Sequence, residues 1–163
     1  MLIRKAERKD LEELLEIYND EVINGVATLD LNPKTMQEWE QWFFEHNIDN
    51  HPLIVAELDN RVAGYASLST YREKEAYCST VELSVYVASA FQGLGVGTKL
   101  LQSILEEARK DENTHVVVSV ITAGNEVSRK LHEKFGFTYS GTLHKVGYKM
   151  GAYRDIDNFE IRV

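Results

Sequence analysis

The segment from Val81 to Ala108 constrains this chain more than any other. Val81, Leu83, Val85 and Val87 alternate with Glu82, Ser84 and Tyr86, the period-two pattern of a strand with two different faces. The turn Gln92-Gly93-Leu94-Gly95-Val96-Gly97-Thr98 follows, and then Leu100, Leu101, Ile104, Leu105 and Ala108 at helical spacing. A strand, a glycine turn and an amphipathic helix in succession point to an α/β layer architecture built on a central sheet. Three glycines at alternate positions let main-chain N–H groups turn toward one concavity, because no Cβ blocks the approach. The helix N-terminus adds unpaired donors and the positive end of its dipole. Such a turn is either a tight strand-to-helix connection or a seat for an anion such as a pyrophosphate.

Two common nucleotide-binding loops are excluded by spelling. A P-loop ends in Gly-Lys-Ser/Thr, whereas Gly97 is followed by Thr98-Lys99. A dinucleotide fingerprint needs a third glycine three residues after the second. Thr98 stands there when the motif is read from Gly93 and Gly95, and Leu100 when it is read from Gly95 and Gly97.

The rest of the chain supplies alternating elements with no internal repeat. Leu2 to Ala6 reads as a short strand. Asp10 with Glu13 forms a capping pair for a helix bearing Leu11, Leu14, Leu15, Tyr18 and Val22, which Asn24-Gly25 breaks. Val26 to Asn32 is loop or short strand, and Thr35-x-x-Glu38 is a second capping box. The helix it opens carries Met36, Trp39, Trp42 and Phe43, which either pack the core or wall a substrate pocket. Leu53 to Glu57 and Val62 to Ser69 form a hairpin about Asp59-Asn60. Val116 to Ile121 reads as a buried strand and Glu126 to Lys134 as a helix stopped by Gly136. Thr138 to Gly147 and Ile156 to Val163 are the last two strands.

At 163 residues the chain fits one domain, residues 1–163. Its 26 acidic against 18 basic residues argue against a nucleic-acid surface, which needs a basic stripe. Cys78 is the only cysteine, so no intrachain disulfide forms. No apolar run approaches a membrane span and the start lacks a signal-peptide core, so no membrane partner and a cytoplasmic protein are expected. His46, His51, His115, His132 and His144 show no metal spacing, and His132-Glu133 lacks the second histidine of H-E-x-x-H, so no metal is expected.

At this point the sequence resembles a known family. Gln92-x-x-Gly95-x-Gly97 matches the Q/R-x-x-G-x-G/A signature of the GNAT acetyltransferases. Asn125-x-x-Ser128-x-x-x-His132-x-Lys134-x-Gly136-Phe137 is similar to their N-x-x-A-x-x-x-Y-x-K-x-G-F. The spellings Ala76-Tyr77-x-x-Thr80-x-Glu82-x-Ser84-Val85-Tyr86-Val87 and Leu131-His132-Glu133 look like the subgroup of phosphinothricin and methionine sulfoximine N-acetyltransferases. The resemblance implies a mixed, mostly antiparallel sheet of about seven strands flanked by helices, with a splay between the two central strands. It implies acetyl-CoA as co-substrate, held by Val85, Tyr86, Val87, Gln92, Gly93, Leu94, Gly95, Val96, Gly97, Thr98, Asn125 and Ser128. It also suggests a homodimer. The superfamily commonly has Tyr where His132 stands; the subgroup has His, which leaves the group that protonates the thiolate open.

Acetyl transfer to an amine requires a base, a polarised thioester carbonyl and a departing thiolate. Glu82 is the first candidate for base, against the alternative of an ordinary exposed strand carboxylate. His132 is a candidate acid or second base, against a packed or surface histidine. The N–H of Val85 or of a nearby residue on the splayed strand is where the resemblance puts the oxyanion donor, and Asn125 contacts the cofactor arm or a bound water, caps its helix, or does both. Arg72 offers a bidentate fork to an amino-acid carboxylate, or is a solvated loop charge. Thr28, Glu75, Ala76 and Tyr77 complete the expected acceptor site. The expected reaction is acetylation of the α-amino group of a small amino-acid analogue by direct attack in a ternary complex. The alternatives are a protein, peptide or polyamine acetyltransferase and a non-catalytic acyl-CoA-binding module.

Overall fold

A computed structural model describes all residues, 1–163. Its seven strands are β1 (Leu2–Lys5), β2 (Leu53–Leu58), β3 (Arg61–Thr70), β4 (Thr80–Val87), β5 (Val116–Thr122), β6 (Thr138–Lys149) and β7 (Ala152–Arg162). They form one sheet in the order β1-β2-β3-β4-β5-β7-β6. Four helices cover it: α1 (Leu11–Asn24), α2 (Met36–Phe44), α3 (Val96–Lys110) and α4 (Glu126–Lys134). Every strand pair is antiparallel except β4 with β5. The α/β fold class and the mostly antiparallel seven-strand sheet agree with the expectation.

Each face of the sheet has its own core. Leu100, Leu101, Ile104 and Leu105 of α3 are fully buried against Ala63, Leu68, Val81 and Val117. Burying each of these α3 side chains contributes about 1.5–3 kcal/mol, so α3 is fixed firmly over β3 and β4. On the other face α1 and α2 bring Leu14, Ile17 and Trp39 onto Leu53, Val55 and Tyr65. Odd-numbered residues of β4 therefore face α3, and Glu82, Ser84 and Tyr86 face α1 and α2.

The central parallel pair is short. Register runs from Thr80↔Val116 to Leu83↔Ser119 and then stops, while β4 stays paired to β3 up to Gly64↔Val87. Ser84 to Val87 thus lie beside an open edge, the expected splay. The Ala88 amide donates to the Ala63 carbonyl at 2.9 Å, which fixes the alternation of peptide groups along β4. The Val85 and Val87 peptides consequently point away from β3 and into the opening. Gly64 keeps β3 close to this stretch: a Cβ there would lie 2.6 Å from the Tyr86 carbonyl oxygen.

Local signals mostly act as read. Asp59 and Asn60 both take positive φ and close the β2–β3 hairpin. Thr35 and Glu38 form the capping box of α2. The Asp10–Glu13 pair does not cap α1. Asp10 accepts from the Glu7 amide and pairs with Arg4 at 2.8 Å, and Glu13 accepts from the Val62 amide at 3.0 Å. The buried Asp10 carboxylate is taken up by the Arg4 guanidinium and by the Glu7 amide of the preceding turn, so it does not cap α1. The last hairpin is longer than expected, because its turn is Met150-Gly151, both at positive φ, and not a loop from 148 to 155.

Candidate active site

The glycine turn leaves β4 through a 3₁₀ segment, Ser89–Phe91, and enters α3 at Val96. Gly93 and Gly95 have φ of 76° and 79°, the left-handed region that favours glycine, and nothing lies within 4 Å of a Cβ built on either. The six amides from Gly93 to Thr98 donate to no protein acceptor, main-chain or side-chain; the first amide bonded again is Lys99, to the Gly95 carbonyl. An ordinary helix start leaves four such donors. Here six lie in succession at the positive end of a 15-residue helix, next to the open edge of β4. The geometry suits a diphosphate, and the tight-connection alternative does not account for so many free donors. Gly97 differs from its neighbours: its Cβ would make ordinary contacts with Leu131 and Val87 at 3.6 and 3.7 Å.

Asn125 caps α4, its Oδ1 accepting from the Ser128 amide at 3.2 Å. The cap reading is therefore real. The side-chain NH₂ of Asn125 has no bond within the protein.

His132 is buried, 4% exposed, and packs against Phe137 and Phe159. Its Nδ1 must carry the proton, since it donates to the Ser128 carbonyl at 2.7 Å; Nε2 then accepts from the Ser119 hydroxyl at 2.9 Å. Burial lowers its pKa, more than the Ser128 bond raises it. Both nitrogens are bonded inside the protein, the arrangement of a packed histidine that positions its neighbours. It ties α4 to Ser119, the β5 residue at the last paired rung before the splay.

Glu82 is half-buried on the α1/α2 face, opposite Ser69 in register, and its carboxylate has no hydrogen-bond partner. Burial raises its pKa. Next along this face opens a cavity of about 330 Å³ whose floor is Ser67, Ser69, Ser84, Tyr65 and Tyr86 and whose walls include Tyr18, Trp39 and Trp42. Both readings of the α2 aromatics hold together: Trp39 and Trp42 stack at 4.2 Å as core and also line the cavity. Burial raises the pKa of the Tyr18, Tyr65 and Tyr86 phenols, so all three stay protonated.

Thr28 is buried at the cavity's border, its hydroxyl 3.0 Å from the Tyr18 hydroxyl, which also bonds Asp30. Its loop is held from below by Lys149, whose Nζ donates to the Thr28 carbonyl at 2.8 Å, and by Thr122, bonded to the Val26 carbonyl at 2.6 Å. Arg72, Glu75, Ala76 and Tyr77 are exposed on the loop between β3 and β4. The Arg72 guanidinium lies over the rings of Tyr71 and Tyr77 at 5.1 and 5.8 Å, outside the cavity lining. That loop enters β4 two residues before Glu82, so it stands at the Glu82 end of the cleft. Asp30, Lys34, Tyr65, Ser67 and Ser84 were not singled out from sequence as pocket residues. The β3 serines at alternate positions, 67 and 69, were the available signal.

The profile of the Acetyltransferase (GNAT) family matches residues 11–137. The chain belongs to the GNAT acetyltransferase family. It is 37% identical over 162 residues to an L-methionine sulfoximine/L-methionine sulfone acetyltransferase of Pseudomonas aeruginosa, covering 99% of this chain and 94% of that one. The crystal structure of a ribosomal-protein-alanine N-acetyltransferase from Brucella melitensis superposes with a TM-score of 0.96 at 40% identity over 100% of both chains. That of a GNAT phosphinothricin acetyltransferase from Sinorhizobium meliloti, in complex with acetyl-CoA, does so with a TM-score of 0.94 at 29% identity, over 99% of this chain and 88% of that one. This GNAT chain is thus an acyltransferase with a seven-strand GNAT sheet, and no helix in it is long and apolar enough to cross a membrane.

Proposed function

We propose that this GNAT protein transfers an acetyl group from acetyl-CoA to the α-amino group of a small amino-acid analogue, of the methionine sulfone, methionine sulfoximine or phosphinothricin kind. The observation that carries the reading is the run of six unpaired amides, Gly93 to Thr98, continuous with the open edge of β4. The residues fit a coenzyme A diphosphate at the turn, with Gln92 at its start and the Val85 and Val87 peptides free to bond an extended arm. When bound, acetyl-CoA supplies an activated thioester. Asn125 and Ser128 border the same opening from the start of α4.

Glu82 takes the proton from the substrate ammonium, directly or through one water; such base catalysis is worth about 10²–10⁴-fold. The neutral amine nitrogen then bonds the thioester carbonyl carbon as the C–S bond breaks; the sulfur leaves with its electron pair and takes up the proton that the acylated nitrogen sheds, giving the amide and the free thiol of coenzyme A. The Val85 N–H, turned into the splay, donates to the carbonyl oxygen as negative charge builds there. Arg72 and Tyr77 at the Glu82 end take the amino-acid carboxylate, with Glu75 and Ala76 shaping the loop, and Thr28 closes the far side. The substrate carboxylate, amine and side chain then lie in order from the loop, past Glu82, into the cavity.

The test is thiol release from acetyl-CoA with methionine sulfone, methionine sulfoximine and phosphinothricin against spermidine and peptides with N-terminal alanine. Turnover of the amino acids at a kcat/KM at least tenfold above the others supports the reading, and a preference for the peptides overturns it. The Brucella melitensis neighbour makes a protein N-terminus the second reading; the small size of the cleft beside Glu82, about 330 Å³ walled by Tyr18, Trp39 and Trp42, favours a small acceptor. A homodimer is proposed through the β6–β7 hairpin at the sheet edge, where Leu143, Val146, Tyr148, Met150 and Tyr153 are exposed; sedimentation as a monomer would refute it. Exposed, unpaired Cys78 suits a reducing cytoplasm.

A further inference from the structure

Glu82 stands opposite Ser69 as an antiparallel pair, and both side chains lie on the α1/α2 face of the sheet. Residues paired this way have Cβ atoms about 5 Å apart, within reach of a hydrogen bond from a serine to a glutamate. Buried polar groups generally take such a donor. The Glu82 carboxylate takes none, although the serine is at hand. The cause lies at the end of α2. His46 is buried there, 6% exposed, with its ring centroid 4.4 Å from that of Trp42. Nδ1 lies 2.7 Å from the Trp42 carbonyl oxygen, which can only accept, so Nδ1 carries the proton. Nε2 of the neutral ring is then an acceptor, and its partner at 2.8 Å is the Ser69 hydroxyl. Ser69 has one proton to give, and His46 receives it. The serine presents only lone pairs to the carboxylate across the strand.

His46 stays in the form that this requires. Burial lowers its pKa, the Trp42 bond opposes that to a smaller extent, and His51 lowers it further. Around Glu82, β3 contributes Ser69, β5 contributes Val118, and β7 contributes Glu160 beyond it. The loop before β4 carries Arg72, Glu73, Lys74 and Glu75, and α1 and α2 turn Tyr18, Trp39, Trp42 and His46 to this face. No charge among these acts on Glu82; burial is the one influence on its titration and raises its pKa.

We propose that His46 is a positioning residue for the base: by holding the Ser69 proton on its Nε2 it withholds from Glu82 the nearest hydrogen-bond donor. A bond from Ser69 would favour the ionised carboxylate and make Glu82 a weaker base. With that donor turned away, the carboxylate keeps its affinity for a proton from the substrate ammonium. His46 touches neither substrate nor cofactor, and it acts through the direction of one hydroxyl. The catalytic consequence rests on the assignment of Glu82 as base above; the direction of the Ser69 hydrogen bond does not.

The experiment titrates the Glu82 carboxyl carbon by NMR in protein carrying isotope-labelled glutamate, its signal identified by its loss in Glu82→Gln. The parent is compared with His46→Phe, Ser69→Ala and the double variant. Phe keeps a ring against Trp42, and the Trp42 carbonyl keeps the Glu45 amide at 3.2 Å. In His46→Phe the freed Ser69 hydroxyl is expected to turn to Glu82 and lower its midpoint by about one to two pH units, the worth of one hydrogen bond to a charged group. Adding Ser69→Ala is expected to reverse that fall, which a merely structural effect of His46 would not do. Ser69→Ala alone, which needs no change in the α2 packing, is expected not to raise the midpoint; a rise would show that Ser69 already donates to Glu82 and would overturn the proposal. The acidic limb of kcat/KM for thiol release is expected to follow the midpoint. An unmoved midpoint in His46→Phe overturns the proposal while Glu82 stands as base. A limb that stays while the midpoint moves removes Glu82 as base, and the catalytic role of His46 with it.

Discussion

Replacing Glu82 by Gln preserves the shape of the side chain and removes its charge, and the two consequences have opposite signs. For catalysis the variant loses the proton acceptor. The α-amino group of a free amino acid, beside its own carboxylate, titrates above the value of a chain terminus, about 8, so well under a tenth or so of the substrate is neutral at pH 7 and only that fraction can attack unaided. The deficit at pH 7 is expected to be about 10²–10⁴-fold in kcat/KM. It shrinks as pH rises past the substrate pKa, because neutral amine no longer needs a base. The parent's profile carries a limb from Glu82, displaced upward from the usual carboxylate range by burial; the variant's carries only the amine's.

For stability the sign follows from the same burial. The folded protein binds the Glu82 proton more tightly than the unfolded chain does, so this group favours folding at low pH and that benefit is lost as pH rises through the folded pKa. At pH 7 the ionised carboxylate is half-buried and has no hydrogen-bond partner. Removing its charge is expected to raise the thermal midpoint at pH 7. Below about pH 4 both forms are neutral and the gain vanishes. Thiol-release kinetics from pH 6 to 10 and thermal melts at pH 4 and 7 measure both effects. A parental pH–rate profile in Glu82→Gln would remove Glu82 as the base, whatever the fall in rate.

Gly95→Ala places a Cβ at φ 79° and is expected to cost about 1–2 kcal/mol, with weaker coenzyme A binding by calorimetry; Gly97→Ala, at an ordinary helical φ, is expected to keep the parental Tm. Unchanged coenzyme A affinity in both would reject the diphosphate seat. His46 and His132 are buried and held neutral, with pKa values lowered chiefly by desolvation. The unfolded chain therefore binds more protons, and Tm is expected to fall as pH drops below about 6.5; a flat Tm between pH 7 and 5.5 would refute this. Arg72→Ala is expected to raise KM for amino acids and leave amines without a carboxylate unaffected; equal effects on both would reject the carboxylate clamp.

What the sequence disclosed and what it hid divide along one physical line. The glycine turn, the capping box at Thr35 and the Asp59-Asn60 hairpin are local: each depends on backbone preferences of neighbouring residues, so the spelling suffices. The roles of His132 and Asp10 depend on groups brought from elsewhere in the chain. His132 follows the same plan as His46, Nδ1 donating to a carbonyl four residues back and Nε2 accepting from a strand serine, Ser119 in one case and Ser69 in the other. Neither serine is near its histidine in sequence, so a motif that suggests an acid at position 132 cannot reveal that the ring is already saturated. The cavity has the same origin. Tyr65, Ser67 and Ser84 look like unremarkable strand residues until antiparallel register sets β3 against β4 and lays Trp39 over them. The glycine turn is thus written in one continuous segment, whereas the cavity is assembled from α1, α2, β3, β4 and the loop bearing Asp30 and Lys34, so no local spelling announces it.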